Sequence, residues 1–308
     1  MSIKLANEFI LSKRTRIAPT PSGFLHVGNA LNAVLIWLWA KQNDAEIMLR
    51  VDDIDQPRVK PEFVDDVFLT LDWLGIDWDM GPSSVDDLLR NWSQVHRLDV
   101  YRDAIRRVTE TGNSFNCRCS RSKWAVGGYD SCNCATVKTS DHSEHVIRMR
   151  RFPERISFKD QWMGDITMSF DRHTQAGILL RRDGMPSYQV TSVVDDVKFN
   201  ISHVIRGVDL IESTATQLHL SALMSMEPFM ATSFMHHPLV RFKGAKLSKS
   251  AGSTSLKHLR ETGTSHREFY AWLGNCLGLD GVTSLGDLLN RCQVGFTPLS
   301  GSQDWSSD

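Results

Sequence analysis

Between Arg14 and Glu110 the apolar positions switch between short runs and helical spacing. Thr15 to Ala18 reads as a strand that ends in a Pro/Ser/Gly turn, and Val27 to Lys41 as a helix with apolar residues on most faces. Ala45 to Val51 reads as a second strand, closed by the acidic run Asp52-Asp53-Ile54-Asp55. In Pro61 to Gly75, Phe63, Val67, Leu71 and Leu74 fall at the spacing of an amphipathic helix. Strand, helix, strand, helix in this order predicts a parallel sheet of the doubly wound type.

The pattern breaks near Phe115. Asn116 to Ser140 is rich in Cys, Gly and Ser and has no amphipathic period, and strand-like segments follow at Val146–Arg150, Ile156–Lys159 and Ile166–Phe170. After Arg181 the α/β pattern resumes with Tyr188–Asp196, His203–Arg206 and a helix over about Ser213–Met226. The expected fold is α/β: a Rossmann-type doubly wound parallel sheet, split by an insertion. Residues 14–110 and 181–250 would be its halves, 111–180 an inserted zinc-ribbon-like subdomain, 251–299 a short helical part, and the Ser-rich 300–308 a disordered tail.

Composition narrows the class without naming a partner. In 308 residues, 41% hydrophobic and 23% charged content fits a soluble globular enzyme. The most apolar stretch, Ala30 to Ala40, is short and contains Asn32, so it reads as a buried helix and not a membrane span. Met1 to Lys13 lacks the features of a secretion signal, and a cytoplasmic location is the expectation. A net charge of −1 does not advertise nucleic-acid binding. Arg148, Arg150, Arg151 and Arg155, with Arg181 and Arg182, are either a local basic face for RNA or solvated strand and loop charges.

The chemistry concentrates in two short strings. His26-Val27-Gly28-Asn29 sits where the first strand turns into the first helix. Gly28 lets the backbone approach a nucleotide closely, a helix N-terminus favours phosphate, and His26 can donate to an α-phosphate. Lys246-Leu247-Ser248-Lys249-Ser250 follows an apolar strand-like segment, Pro238 to Phe242, and a Gly-containing turn. Two lysines at i and i+3 on a loop can hold a leaving pyrophosphate, and positioned charge of this kind is worth roughly 3 kcal/mol per donor.

Together, in this order, the strings resemble the two ATP-handling signatures of class I aminoacyl-tRNA synthetases, which activate an amino acid as its adenylate. Arg16 to Leu25, reading Arg-Ile-Ala-Pro-Thr-Pro-Ser-Gly-Phe-Leu, resembles the glutamyl branch. So do Arg50-Val-Asp52-Asp53-Ile-Asp55, Tyr188 within Pro-Ser-Tyr-Gln-Val, Val193-Val-Asp-Asp196 and His203-Val-Ile-Arg206-Gly207. The resemblance implies that Arg16 and Arg206 face carboxylates of a bound glutamate, that Asp52 holds its ammonium group, and that Thr20 and Tyr188 complete the pocket. ATP with Mg2+ would lie on His26, Gly28, Asn29, Lys246, Ser248 and Lys249, with His26, Gly28, Lys246 and Lys249 supporting catalysis. Two positions depart from the branch: Asp52 stands where Glu is usual, and Asn29 where a second His is usual.

Four of six cysteines form two Cys-x-Cys arms, Cys117-Arg-Cys119 and Cys132-Asn-Cys134. Without a secretion signal disulfides are not expected, and paired arms across a loop suit a structural, tetrahedral Zn2+. This region resembles glutamyl-queuosine tRNA(Asp) synthetases, a truncated branch with Cys-x-Cys, Tyr and Cys at this point of the fold. Tyr129 or Cys134 could therefore complete a site begun by Cys117, Cys119 and Cys132. Arg206 to Gln217 also resembles that branch, and the 58 residues after Ser250 are too few for the helical anticodon-binding region of full-length glutamyl enzymes. The resemblance implies glutamate transfer to queuosine in the anticodon stem-loop of tRNA(Asp), by a monomer with no membrane partner. A minimal glutamyl-tRNA synthetase, a paralogue acylating another acceptor and an inactive glutamate, ATP or RNA binder are the alternatives.

Overall fold

The structure is a computed structural model that describes residues 13–120, 123, 132, 134, 145–150, 153–170, 177–239, 241–242, 245–246 and 255–292. Strand β1 (Arg14–Ile17) pairs in parallel with β2 (Glu46–Leu49), Arg14 opposite Glu46 and Ile17 opposite Leu49. Helix α1 (Val27–Gln42) connects them. It carries buried residues all round, from Val27 and Leu31 to Ile36 and Leu38, as its unbroken apolar sequence requires. Helix α2 (Pro61–Leu74) starts with Pro at its first turn, where no backbone N–H is needed. It stops at Gly75, whose φ of 70° lets Gly75 and Ile76 cap the last carbonyls. Its buried face is Val64, Val67, Leu71 and Leu74, plus one charged residue, Asp66.

The second half repeats the parallel pattern. β8 (His203–Gly207) and β9 (Ser233–His237) run parallel in continuous register, with α6 (Ile211–Leu223) between them in the chain. β1 and β8 meet where Ser202 N donates to the Arg14 carbonyl at 3.0 Å. The segment beginning at Tyr188 is helix α5 (Tyr188–Lys198), whose start is capped by the Ser187 hydroxyl. Strand β9 comes earlier than the apolar run Pro238–Phe242 predicts. Pro238 has no N–H to offer a ladder, and Arg241–Phe242 (β10) instead pairs back on Ala245–Lys246 (β11).

The middle of the chain contributes to two sheets. β3 (Ser114–Cys117), β4 (Val146–Met149) and β7 (Ile178–Leu180) form a small antiparallel sheet. β5 (Arg155–Asp160) and β6 (Gly164–Ser169) form a hairpin that joins the edge of β9 through Asp160 and Phe234. The main core packs α1, α2, α8 (Leu256–Glu261), α9 (His266–Cys276) and α10 (Leu285–Arg291) around β1 and β2. A second cluster joins Tyr101, Val190, Val193, Val204 and Phe234.

Candidate active site at the sheet switch point

In an open parallel sheet, ligands bind beyond the carboxyl ends of strands where the winding direction reverses. β1 and β8 lie side by side across the Ser202–Arg14 hydrogen bond, as edges of a two-stranded and a four-stranded sheet; α1 leads from β1 to β2 and α6 from β8 to β9. A cavity of about 440 Å³ opens at their ends. Thr20, His26, Gly28, Asn29, Tyr188 and Arg206, all singled out in the sequence, line it together with Asn32, Gly207, Asp209 and His237.

His26 is the residue that caps α1, in extended backbone geometry. Asn29 turns its side chain back so that Oδ1 accepts from His26 N at 3.0 Å. The Asn that replaces the expected second His thus fixes the entry into the helix. Gly28 has a further reason to lack a side chain: a Cβ there would lie 3.0 Å from Cε1 of the His26 ring. The α1 N-terminus therefore faces the cavity with its imidazole in place, a setting that favours an anion.

The chain returns to this point after the lysine loop. Ser255 bridges to His26, and Leu256 N donates to the Leu25 carbonyl at 2.8 Å. Asp66 ties the same junction from below. One carboxylate oxygen accepts from Leu25 N at 2.8 Å, and the other meets Arg260 Nη2 at 2.5 Å, while Arg260 Nη1 donates to Thr70 Oγ1. Asp66 was not legible as a site residue, although a carboxylate on the apolar face of α2 is the kind of signal that marks one. Lys246 belongs to β11; Ser248 and Lys249 lie outside the described residues.

Arg206 is 3% exposed. Its Nη2 donates to Thr214 Oγ1 at 2.6 Å and to Gln217 Oε1 at 2.9 Å, whereas Nε and Nη1 are buried with no partner among the described residues. Burial pulls its pKa down to about 10, Tyr188 opposes this and the nearby Arg16 charge adds to it. The group still stays cationic at neutral pH, so a dehydrated guanidinium lines the pocket. A carboxylate is the ligand whose charge and hydrogen-bond acceptors match a guanidinium in such a pocket.

Arg16 and Asp52 do not line the cavity. Both are buried in an ion network in which Arg16 Nε lies 3.3 Å from Asp196 Oδ1 and Arg50 Nη1 lies 2.5 Å from the same oxygen. Arg50 also occupies both oxygens of Asp52, at 2.7 and 3.2 Å, and Gln94 Nε2 adds a third contact at 3.3 Å. Burial raises Asp52 to about 6 against the pull of Arg50. Gln94 continues to Asp195, which Arg97 and Tyr101 clasp. The sequence gives little sign of Gln94, Arg97 and Tyr101 as partners, since each is a lone polar residue in an unremarkable segment.

The basic stripe does not form as a continuous face. Arg148 is buried, and Arg181 is paired with Asp55 at 2.8 Å and Asp183 at 2.5 Å. Arg155 and Arg182 remain exposed, and Arg151 lies outside the described residues. The alternation of a strand accounts for this, because β4 turns Arg148 inward with its apolar neighbours.

The four thiols of Cys117, Cys119, Cys132 and Cys134 lie within 4.8 Å of one another. Cys132 Sγ is 3.7 Å from both Cys117 and Cys119, and Cys119 is 3.9 Å from Cys134. Zinc–thiolate bonds of about 2.3 Å set tetrahedral ligands about 3.8 Å apart. The four cysteines therefore fit a tetrahedral zinc site; Tyr129 lies outside the described residues. Burial pushes the Cys132 thiol up, a cost that metal coordination would remove.

A family profile, tRNA synthetases class I (E and Q), catalytic domain, matches residues 12–126 and 129–286. A Glutamyl-Q tRNA(Asp) synthetase of Symbiobacterium thermophilum is 35% identical over 286 residues, covering 86% of this chain and 86% of that protein. A glutamate–tRNA ligase of a Synechococcus species is 34% identical over 282 residues, and the match spans only 55% of that ligase. Among solved structures, a glutamate–tRNA synthetase from Elizabethkingia anophelis shares the fold with a TM-score of 0.74 at 22% identity, covering 96% of this chain and 68% of that one. Among the described residues no helix is long and apolar enough to cross a membrane.

Proposed function

Because the chain belongs to the class I tRNA synthetases of the glutamate and glutamine group, we propose that it activates glutamate with ATP and transfers it to queuosine in the anticodon loop of tRNA(Asp). The observation that carries the glutamate assignment is the buried Arg206 guanidinium, a cation with no ion-pair partner among the described residues, which lines the cavity beside His26. Support for the acceptor comes from 35% identity to a Glutamyl-Q tRNA(Asp) synthetase across 86% of each chain. The second reading, a glutamate–tRNA ligase, is favoured by comparable identity to such enzymes over 82% of this chain.

In the first step a carboxylate oxygen of glutamate attacks the α-phosphorus of ATP, and the bond to the β-phosphate oxygen breaks to release pyrophosphate. His26 and the α1 N-terminus meet charge building on the α-phosphate, while Lys246 and Lys249 follow the departing pyrophosphate with Mg2+. Ser248 and Asn29 complete the ATP site. Arg206, Tyr188 and Thr20 orient glutamate, and Arg16 and Asp52 act from the ion network behind the pocket. In the second step an acceptor hydroxyl attacks the acyl carbon, AMP leaves, and an ester forms. Positioning and fixed charge supply the acceleration, and no covalent enzyme intermediate is needed.

Zinc on Cys117, Cys119, Cys132 and Cys134 would serve a structural purpose, crosslinking two short arms that have little core of their own. The deciding measurement is transfer of labelled glutamate to tRNA(Asp) with and without queuosine, beside tRNA(Glu). Label confined to queuosine-containing tRNA(Asp) is expected. Label on tRNA(Glu) instead would replace this reading with the ligase one.

A further inference from the structure

Arg206 is held by more than its own neighbours. Its Nη2 donates to Thr214 Oγ1 at 2.6 Å, and that hydroxyl lies 2.8 Å from His236 Nε2. His236 Nδ1 in turn lies 2.6 Å from Asp160 Oδ2. The four side chains sit on four elements: β8, α6, β9 and the end of β5. All are buried. Asp160 is itself fixed, because its Oδ1 accepts from the backbone N–H groups of Trp162 and Met163, each at 2.9 Å, in the turn that follows β5.

The hydrogens in this chain run from Thr214 through His236 to Asp160. Burial, with the Arg206 charge, keeps His236 below its ordinary pKa, and the His236 and backbone donors hold Asp160 below the usual carboxylate range despite burial. A neutral imidazole next to an ionised carboxylate carries its hydrogen on Nδ1 and donates to Asp160. Its Nε2 is then an acceptor, so the Thr214 hydroxyl donates to it and offers a lone pair to Arg206. The Leu210 carbonyl, 3.0 Å from the same hydroxyl, is a longer alternative. Gln217 supplies the other contact to Nη2. Both contacts use one nitrogen, and Nε and Nη1 have no hydrogen-bond partner among the described residues.

We propose that Asp160, His236 and Thr214 form a positioning relay that fixes the plane of the Arg206 guanidinium where it lines the cavity, and so sets its direction toward the substrate carboxylate. This rests on the reading of the cavity as the glutamate pocket. None of the three touches substrate in this arrangement; they act through Arg206. The relay also couples the β5–β6 hairpin to the pocket, because Asp160 is where that hairpin joins β9.

The test uses Thr214→Val, which keeps the shape and removes the hydroxyl, Thr214→Ser, which restores it, and Asp160→Asn. Glutamate Kd is measured by calorimetry on the whole protein, and KM and kcat by ATP–pyrophosphate exchange. Loss of a hydrogen bond to a charged group predicts that Kd and KM for glutamate rise about tenfold in Thr214→Val, with kcat within about twofold. Thr214→Ser is expected to recover most of the affinity, and Asp160→Asn to shift KM in the same direction. A merely structural role would lower the melting temperature and the active fraction while leaving KM in place. Wild-type protein that binds glutamate beside a folded Thr214→Val protein that binds it equally well would overturn the relay alone. Wild-type protein that binds no glutamate would overturn the pocket assignment, and the relay's purpose with it.

Discussion

Arg206 keeps a full charge out of water with no ion-pair partner among the described residues, an arrangement that costs stability and is explained by what the pocket is built to bind. Taking a charge out of water without a partner costs a fold several kcal/mol, which an apolar side chain of similar size does not incur. Arg206→Met is therefore expected to melt at a higher temperature than wild type while losing glutamate affinity by at least about a hundredfold. Lower thermal stability together with retained affinity would refute this account. His237 makes a different statement. Burial drives its pKa down to about 4, and its Nδ1 donates to the Pro238 carbonyl. The folded state thus resists protonation that the unfolded chain accepts near 6.5, so stability is full above that value and falls as pH drops toward 4. The loss amounts to about 3 kcal/mol at ~1.36 kcal/mol per unit. His203 and His236 are shifted the same way, so His237→Leu should flatten the pH dependence of the urea midpoint between 6.5 and 4 without abolishing it. An unchanged slope would remove His237 from the account.

At the scale of elements, α2 and α8 are joined by a half-buried ion pair that also touches the His26 junction. Asp66→Asn keeps an acceptor for Leu25 N but leaves Arg260 without its anion. A loss of about 2 kcal/mol in unfolding free energy and a raised KM for ATP are expected; unchanged values of both would show the pair to be incidental. Here the limits of sequence reading are visible. Helices α1 and α2 were legible because their apolar periods and flanking Pro and Gly are local signals. The β5–β6 hairpin was legible as two strands, yet its attachment to β9 was not, since one pairing at Asp160 and Phe234 depends on contacts distant in the chain. The pocket followed the same rule. Thr20, His26, Gly28, Tyr188 and Arg206 belong to contiguous strings with recognisable chemistry, and they do share one cavity. Asp66, His236 and Asp160 are single polar residues within apolar surroundings, and only folding gives them partners.

For the molecule as a whole, the cysteine arms form their own small cluster with Phe115, apart from the two larger cores. Removing metal with a chelator is expected to release one zinc per chain, read by elemental analysis. It should also speed amide exchange in β3 (Ser114–Cys117) while leaving α1 and β8 protected. Simultaneous loss of protection in all three would mean that the arms and the nucleotide-binding sheet unfold as one unit. The strap between Leu25–His26 and Ser255–Leu256 works at a larger scale again. It stitches together two stretches separated by more than two hundred residues, so on a translating ribosome the first motif must wait through most of synthesis for its clasp. A nascent chain that has not yet extruded Leu256 can hold β1, α1 and β2 but not a closed catalytic mouth.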